Sequence, residues 1–159
     1  DNLKKRLVIE NDDKPSMWTV QMLYDNFYTV IGIPITFDYF HHSFHPDGLT
    51  EEEALLLAAT TWPDNITQCT HYSESRREEK RRSIMRMCEE NNIDFDELDD
   101  WPTLGKLKKD WLKIRVQAHA DYCKKPIDTY GLDIDIMLEA KAKEHALFES
   151  MKINKEILV

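Results

Sequence analysis

The chain has 159 residues, 42% of them hydrophobic and 32% charged, which suits one folded domain with a sizeable core and excludes a disordered polymer. Its formal net charge of -9 excludes a grip on nucleic acid by bulk charge alone, but not an acidic cleft that gathers cations. No apolar run is long enough to cross a bilayer and no secretory leader is visible, so no membrane partner is expected. The three scattered cysteines, Cys69, Cys88 and Cys123, form no disulfide framework and fit a reducing, intracellular compartment.

In chain order, Leu7-Val8-Ile9 is a short apolar run that predicts a buried strand ending at Glu10. Ser16 is expected to cap a helix to about Ile31, ended by Gly32. Pro34 to Phe37 predicts a second strand ending at Asp38, with His41, His42 and His45 in the loop beyond. Thr50 and Glu53 form a capping box for a helix to about Trp62. Ile66 to Thr70 predicts a third strand ending at His71. Charged helices over roughly Ser75 to Glu90 and Thr103 to Ile114 follow. Gln117 to Ala120 predicts a fourth short extended segment, and Asp135 to Leu138 a fifth, ending at Glu139. A last helix carries Leu147 and Met151.

Strands alternating with helices point to an α/β fold with a parallel sheet, whose chemistry gathers at the C-terminal ends of strands. Each expected strand here finishes on or beside a group able to bind metal: Glu10, Asp38 with His41, His71, His119 and Glu139. Singly, each has an ordinary explanation: Glu10 as a helix cap, His71 and His119 as surface histidines, Asp38 and His41 as polar loop residues. Together they predict a site for a divalent ion such as zinc or manganese. No GxGxxG, Walker loop, CxxC pair or nucleophile elbow competes.

The words around these residues resemble those of the ultraviolet-damage endonuclease family: Leu7-Val8-Ile9-Glu10-Asn11-Asp12-Asp13, Phe37-Asp38-Tyr39-Phe40-His41-His42, His71-Tyr72-Ser73-Glu74, Ala118-His119-Ala120-Asp121-Tyr122 and Met137-Leu138-Glu139-Ala140-Lys141-Ala142-Lys143-Glu144. The resemblance implies a (β/α)8 TIM-type barrel, related to apurinic endonucleases of the endonuclease IV type. It implies a metal-dependent DNA-repair endonuclease that nicks damaged double-stranded DNA 5′ to ultraviolet-type lesions, in the cytoplasm, nucleoid or nucleus. Carried over, Glu10 would bridge two metals, Mn or Zn. Asp38, His71 and Glu139 would complete one of them, and His41 and His119 would hold a third. Glu10, Asp38, His71 and Glu139 would thus be the catalytic set.

The chain departs from the family in three ways. Cys69 stands where the family has a carboxylated lysine ligand; a thiolate there is a further candidate ligand and would favour zinc. The family draws two more histidine ligands and its lesion-probing aromatics from an N-terminal half, which the sequence as given does not include; it opens on Asp1, as an excised or processed piece would. Charged helices at about 76–115 stand where the family's connection is shorter. In them Arg76, Arg77, Arg81 and Arg82 are candidate DNA-phosphate contacts, against the alternative of a solvated helix with pairs such as Glu78 to Arg82. Trp101 and Trp111 are read as packing anchors.

The expectation is therefore one domain over residues 1–159, the C-terminal half of a barrel with a helical insertion. Such a half leaves open sheet edges and an exposed apolar interior, and calls for its missing half or self-association. Alone it is expected not to nick DNA. The alternatives are a non-catalytic metal- or partner-binding fragment, or a metal-dependent sugar isomerase on a similar barrel, against which the HYSE-type and AHADY-type words and the basic cluster speak.

Overall fold

The computed structural model describes residues 6–155; the two ends of the 1–159 span lie outside them. The chain divides into two compact units. One runs to Ser73 and resumes over Pro126–Glu139, and the other takes Glu74–Lys125 and continues from Ala140.

The first unit is a parallel sheet in the order β1 (Ile9–Glu10), β2 (Ile35–Asp38), β3 (Gln68–Tyr72), β4 (Ile134–Leu138). Helices occupy the connections from β1 to β2 and from β2 to β3, as crossovers between parallel strands require. Side chains alternate along a strand, so the register sorts the sheet into two faces. Ile35 and Phe37 point one way and are fully buried, packed with Val20 and Leu23 of α1 (Val20–Leu23) and Ala54, Leu55 and Ala58 of α4 (Glu51–Ala59). Burying each large apolar side chain stabilises by roughly 1.5–3 kcal/mol. Glu10, Thr36, Asp38, Cys69, His71, Asp135 and Met137 share the opposite face by register. Within the strands this face is polar apart from Met137, contrary to the expected apolar interior.

Several element bounds differ from expectation for identifiable reasons. Leu7 and Val8 are exposed and only Ile9–Glu10 pairs, because β1 has one strand neighbour. The first helix starts at Thr19, not Ser16: the Thr19 hydroxyl accepts from the Met22 N–H at 3.2 Å. It then widens into a π-helix, Tyr24–Tyr28, before α2 (Thr29–Ile31). Here the Asn26 amide and Thr29 hydroxyl donate to the Met22 and Asp25 carbonyls at 2.9 and 2.6 Å, competing with the α-helical ladder. Gly32, at φ 67°, ends it as expected. The loop holding His41 is a short helix, α3 (Tyr39–His42), capped by Asp38. The capping box of Thr50 and Glu53 forms. The α4 helix stops at Ala59 because Thr60 and Thr61 turn their hydroxyls back onto Leu57 and Ala58 carbonyls.

The second unit holds α5 (Arg76–Asn91), a 3-10 turn over Asp96–Asp100, α6 (Pro102–Leu112) and α7 (Glu144–Ile153). Ile84, Cys88 and Leu98 form its core, packed by Phe95, Leu104, Leu107 and Trp111. Gly105 lets α6 sit on the 3-10 turn, since a Cβ there would come within 2.8 Å of the Leu98 carbonyl. Trp111 is the packing anchor expected, its indole N–H donating to the Arg77 carbonyl at 2.8 Å; Trp101 is 49% exposed and does not fill that role. The segment Gln117 to Ala120 is not a sheet strand. Its β contact is an isolated antiparallel bridge, Ser75 to His119, inside the helical unit. All three cysteines are free thiols, and no helix among the described residues is long and apolar enough to cross a membrane.

Candidate metal centre

The site is built at the C-terminal ends of the strands in the first unit. Asp38 is the last residue of β2, its side chain fully buried. One oxygen caps α3 through the His41 N–H at 2.8 Å; the other, Oδ2, is buried with no hydrogen-bond partner. The parallel register sets Asp38 beside His71. The His71 Nδ1 is also buried without an aligned hydrogen bond. It stands 3.1 Å from Glu10 Oε1, 3.6 Å from Glu139 Oε1 and 4.0 Å from Asp38 Oδ2. His41, projected back by the turn of α3, brings Nδ1 to 3.4 Å from Glu10 and 3.8 Å from Asp38.

Two overlapping sets of donor atoms result, Glu10 with Asp38 and His41, and Asp38 with His71 and Glu139, each mutually within 4.8 Å. Unsatisfied oxygen and nitrogen donors converging in this way fit a hard or borderline divalent cation such as manganese or zinc. His41 groups with Glu10 and Asp38, rather than apart from them. Cys69 lies on the same face but in neither set. Burial, then the negative charges of Asp135 and Glu10, push its thiol pKa up. His119 belongs to the second unit, where its neighbours Ala118 and Ala120 bond to the backbone of Arg76 and Glu74.

The electrostatics follow from carboxylates and imidazoles gathered at close range. Burial, reinforced by the charge of Glu10 and only partly offset by His41, raises the Asp38 pKa to about 6. Burial would raise Glu10 as well, but the hydrogen bond and charge of His71 outweigh it and hold its pKa low. His71 is raised by its contact with Glu10 and the neighbouring carboxylates. His41 is raised despite burial, by Asp38, the Asn11 carbonyl and Glu10. Its neighbour His42 differs: buried at 5% exposure, its ring 5.3 Å from Phe37, it has a lowered pKa from burial and belongs to the core.

Sequence reasoning missed the residues that hold the ligands. Asn11 is 2% exposed and extends the β1–β2 ladder with its side chain. Its amide donates to the Asp38 carbonyl at 3.0 Å and accepts from the Asp38 N–H at 2.8 Å, and its own carbonyl lies 2.8 Å from His41 Nδ1. Ser73 donates to the Glu139 carbonyl at 2.8 Å, and the Glu139 N–H bonds the Tyr72 carbonyl at 2.9 Å. Asn11 directly follows the candidate ligand Glu10 and Ser73 lies two residues after His71, but their partners are non-local.

A family model described as UV-endonuclease UvdE matches residues 1–158. The chain belongs to that family. It is 31% identical over 157 residues to a UV-damage endonuclease of Schizosaccharomyces pombe (strain 972 / ATCC 24843), an alignment covering 94% of this chain and 20% of the relative. It also resembles the crystal structure of SacUVDE, with a TM-score of 0.63 and 27% identity, over 99% of this chain and 42% of that one. The chain therefore spans about a fifth of the curated relative and two fifths of the solved one. In it, the UvdE-like words around Glu10, Asp38, His41, His71 and Glu139 are the ones the sheet brings together.

Proposed function

We propose that this UvdE chain is the C-terminal half of a (β/α)8 barrel endonuclease of DNA repair, which hydrolyses a phosphodiester 5′ to ultraviolet-type lesions. Its divalent cations, Mn or Zn, would be held by Glu10, Asp38, His41, His71, His119 and Glu139, in one domain over 1–159 with the helices of 76–115 as an insertion. The observation that carries this reading is the convergence of buried ligand atoms, Asp38 Oδ2 and His71 Nδ1, neither in an aligned hydrogen bond, on the carboxylates of Glu10 and Glu139. A folded chain leaves such atoms unsatisfied at a cost of about 1–3 kcal/mol each, which a cation would offset.

A bound divalent cation stabilises negative charge building on a phosphate. Glu10 has a side chain 34% exposed, which would leave a cation held there within reach of a phosphate-bearing substrate. Asp38, locked by its cap to α3 and by Asn11, fixes the geometry. Protonated His41 or His71 neutralises carboxylate charge when no cation is present. Each outer strand, β1 and β4, pairs on one side only among the described residues, which supports a requirement for the rest of the barrel, from an N-terminal half or a second copy. The chain alone is then expected not to nick, and damaged duplex DNA inside the cell is the substrate of the completed protein.

The test is nicking of an ultraviolet-irradiated duplex by the full-length protein with Mn2+, comparing wild type with Asp38→Asn. The reading expects cation-dependent cuts 5′ to lesions that vanish in the variant. Lesion-specific nicking that survives both chelation and the substitution would sink it.

A further inference from the structure

We propose that the second unit carries a separate cleft that grips backbone phosphates of duplex DNA, other than the reacting phosphate, through Lys80 and Arg86 of α5 and through Lys124 and Lys125. The cleft measures about 680 Å³ and is lined by one face of α5 and the segment 121–125. Six cationic side chains meet there against two carboxylates, Glu79 and Asp121, on a chain whose net charge is -9.

The helix α5 has two basic faces with different work. Arg77 lies 5.3 Å over the Trp111 ring and Arg81 lies 5.7 Å over Phe95, so both are absorbed in packing α5 onto α6. Arg76, Lys80, Ser83 and Arg86, at helical spacing, line the cleft instead. The four arginines singled out in the sequence thus divide, two over the rings of Trp111 and Phe95 and two, Arg76 and Arg82, into the cleft.

The carboxylates at the cleft are already engaged. Glu79 accepts the N–H groups of Asp121 and Tyr122 at 2.9 and 3.1 Å. Asp121 pairs with Arg76 at 3.6 Å. Behind the wall, the buried Glu74 carboxylate accepts from Arg82 at 2.9 Å, from the Lys125 N–H at 2.7 Å and from the Lys124 N–H. Two acids therefore clamp the backbone of 121–125 and hold the stretch that carries Lys124 and Lys125. Lys80, Arg86, Lys124 and Lys125 themselves are exposed. Preorganised cations on a concave wall, with the acids spent on backbone N–H groups, suit repeated phosphates better than a carboxylate partner.

The choice of duplex DNA rests on the nuclease reading above, and a binding measurement separates the two. The full chain is titrated with undamaged duplex in chelator over a range of salt, as wild type, as Lys80→Gln/Arg86→Gln/Lys124→Gln/Lys125→Gln and as Arg77→Gln/Arg81→Gln. The cleft variant is expected to bind about 10–100-fold more weakly at moderate salt, with the slope of log affinity against log salt reduced by roughly 3–4. The Arg77/Arg81 variant should keep the wild-type slope. An unchanged slope in the cleft variant, or an equal loss in both variants, overturns the proposal. So does loss of pyrophosphate binding with the duplex slope intact, which would make the cleft a small-anion site. If the cleft variant loses slope as expected while the full-length protein with Mn2+ cuts no lesion, the nuclease reading fails and the cleft stands.

Discussion

Asp38 and Glu74 are both buried carboxylates in family words of this chain, and the fold treats them in opposite ways. Glu74 is fully engaged: Arg82 and two backbone N–H groups meet its oxygens. Asp38 has one oxygen in a helix cap and the other without a hydrogen bond, near His41 and His71, and its pKa is pushed up to about 6. A buried acid that the chain itself satisfies is a structural part. One that the chain leaves without a hydrogen bond, beside further carboxylates and histidines, is a candidate ligand on the proposed reading.

The comparison breaks most visibly on stability. Glu74→Ala should destabilise the metal-free protein by about 1–3 kcal/mol, since it removes the partner of Arg82 and unpairs two N–H groups; chemical denaturation measures it. Asp38→Asn keeps an oxygen for the α3 cap and removes the buried charge, so it should instead stabilise the metal-free protein at pH 7, by about 2 kcal/mol. If both substitutions destabilise equally, the distinction drawn between the two acids is wrong.

A pH titration of stability sharpens it. For Asp38 the folded pKa, about 6, exceeds the ordinary 3.8, so the folded state binds the proton more tightly. Stability therefore falls as pH rises from about 4 to 6 and stays lower above. His41 and His71 are raised above 6.5, so their contribution is full below that value and is lost as pH climbs past their folded pKa values. Glu10 is lowered below 4.5, and its contribution is lost in acid. Without metal the first unit should be most stable near pH 5 and weaker at pH 8, a trend that Asp38→Asn should flatten. The smallest effect expected is at Arg77: Arg77→Gln removes a stacked cation from Trp111 and should cost about 0.5–1 kcal/mol in thermal melts, with no effect on cation binding.

Much of the first unit was legible because its signals are local. The capping box at Thr50, the αL stop at Gly32 and the acids at the ends of β1 and β2 can all be read along the chain. His71 was placed just beyond its strand, whereas β3 runs to Tyr72, and only the pairing with β2 shows that His71 and Asp38 share a face. The role of Asn11 was invisible, because an amide that completes a ladder 27 residues away leaves no periodic trace. In the second unit local charge misled. A run of arginines looks the same whether it covers tryptophan or lines a cleft, and Gln117 to Ala120 reads as extended although the chain folds it against the start of α5.

The most direct measurement is Mn2+ binding to the full chain, followed by calorimetry or by the spin signal of bound manganese, in wild type, Asp38→Asn and Glu74→Gln. The account predicts that wild type and Glu74→Gln bind the ion, more tightly as pH rises because His41, His71 and Asp38 must release protons, and that Asp38→Asn weakens binding by at least about 10-fold. Equal binding by wild type and Asp38→Asn would contradict it.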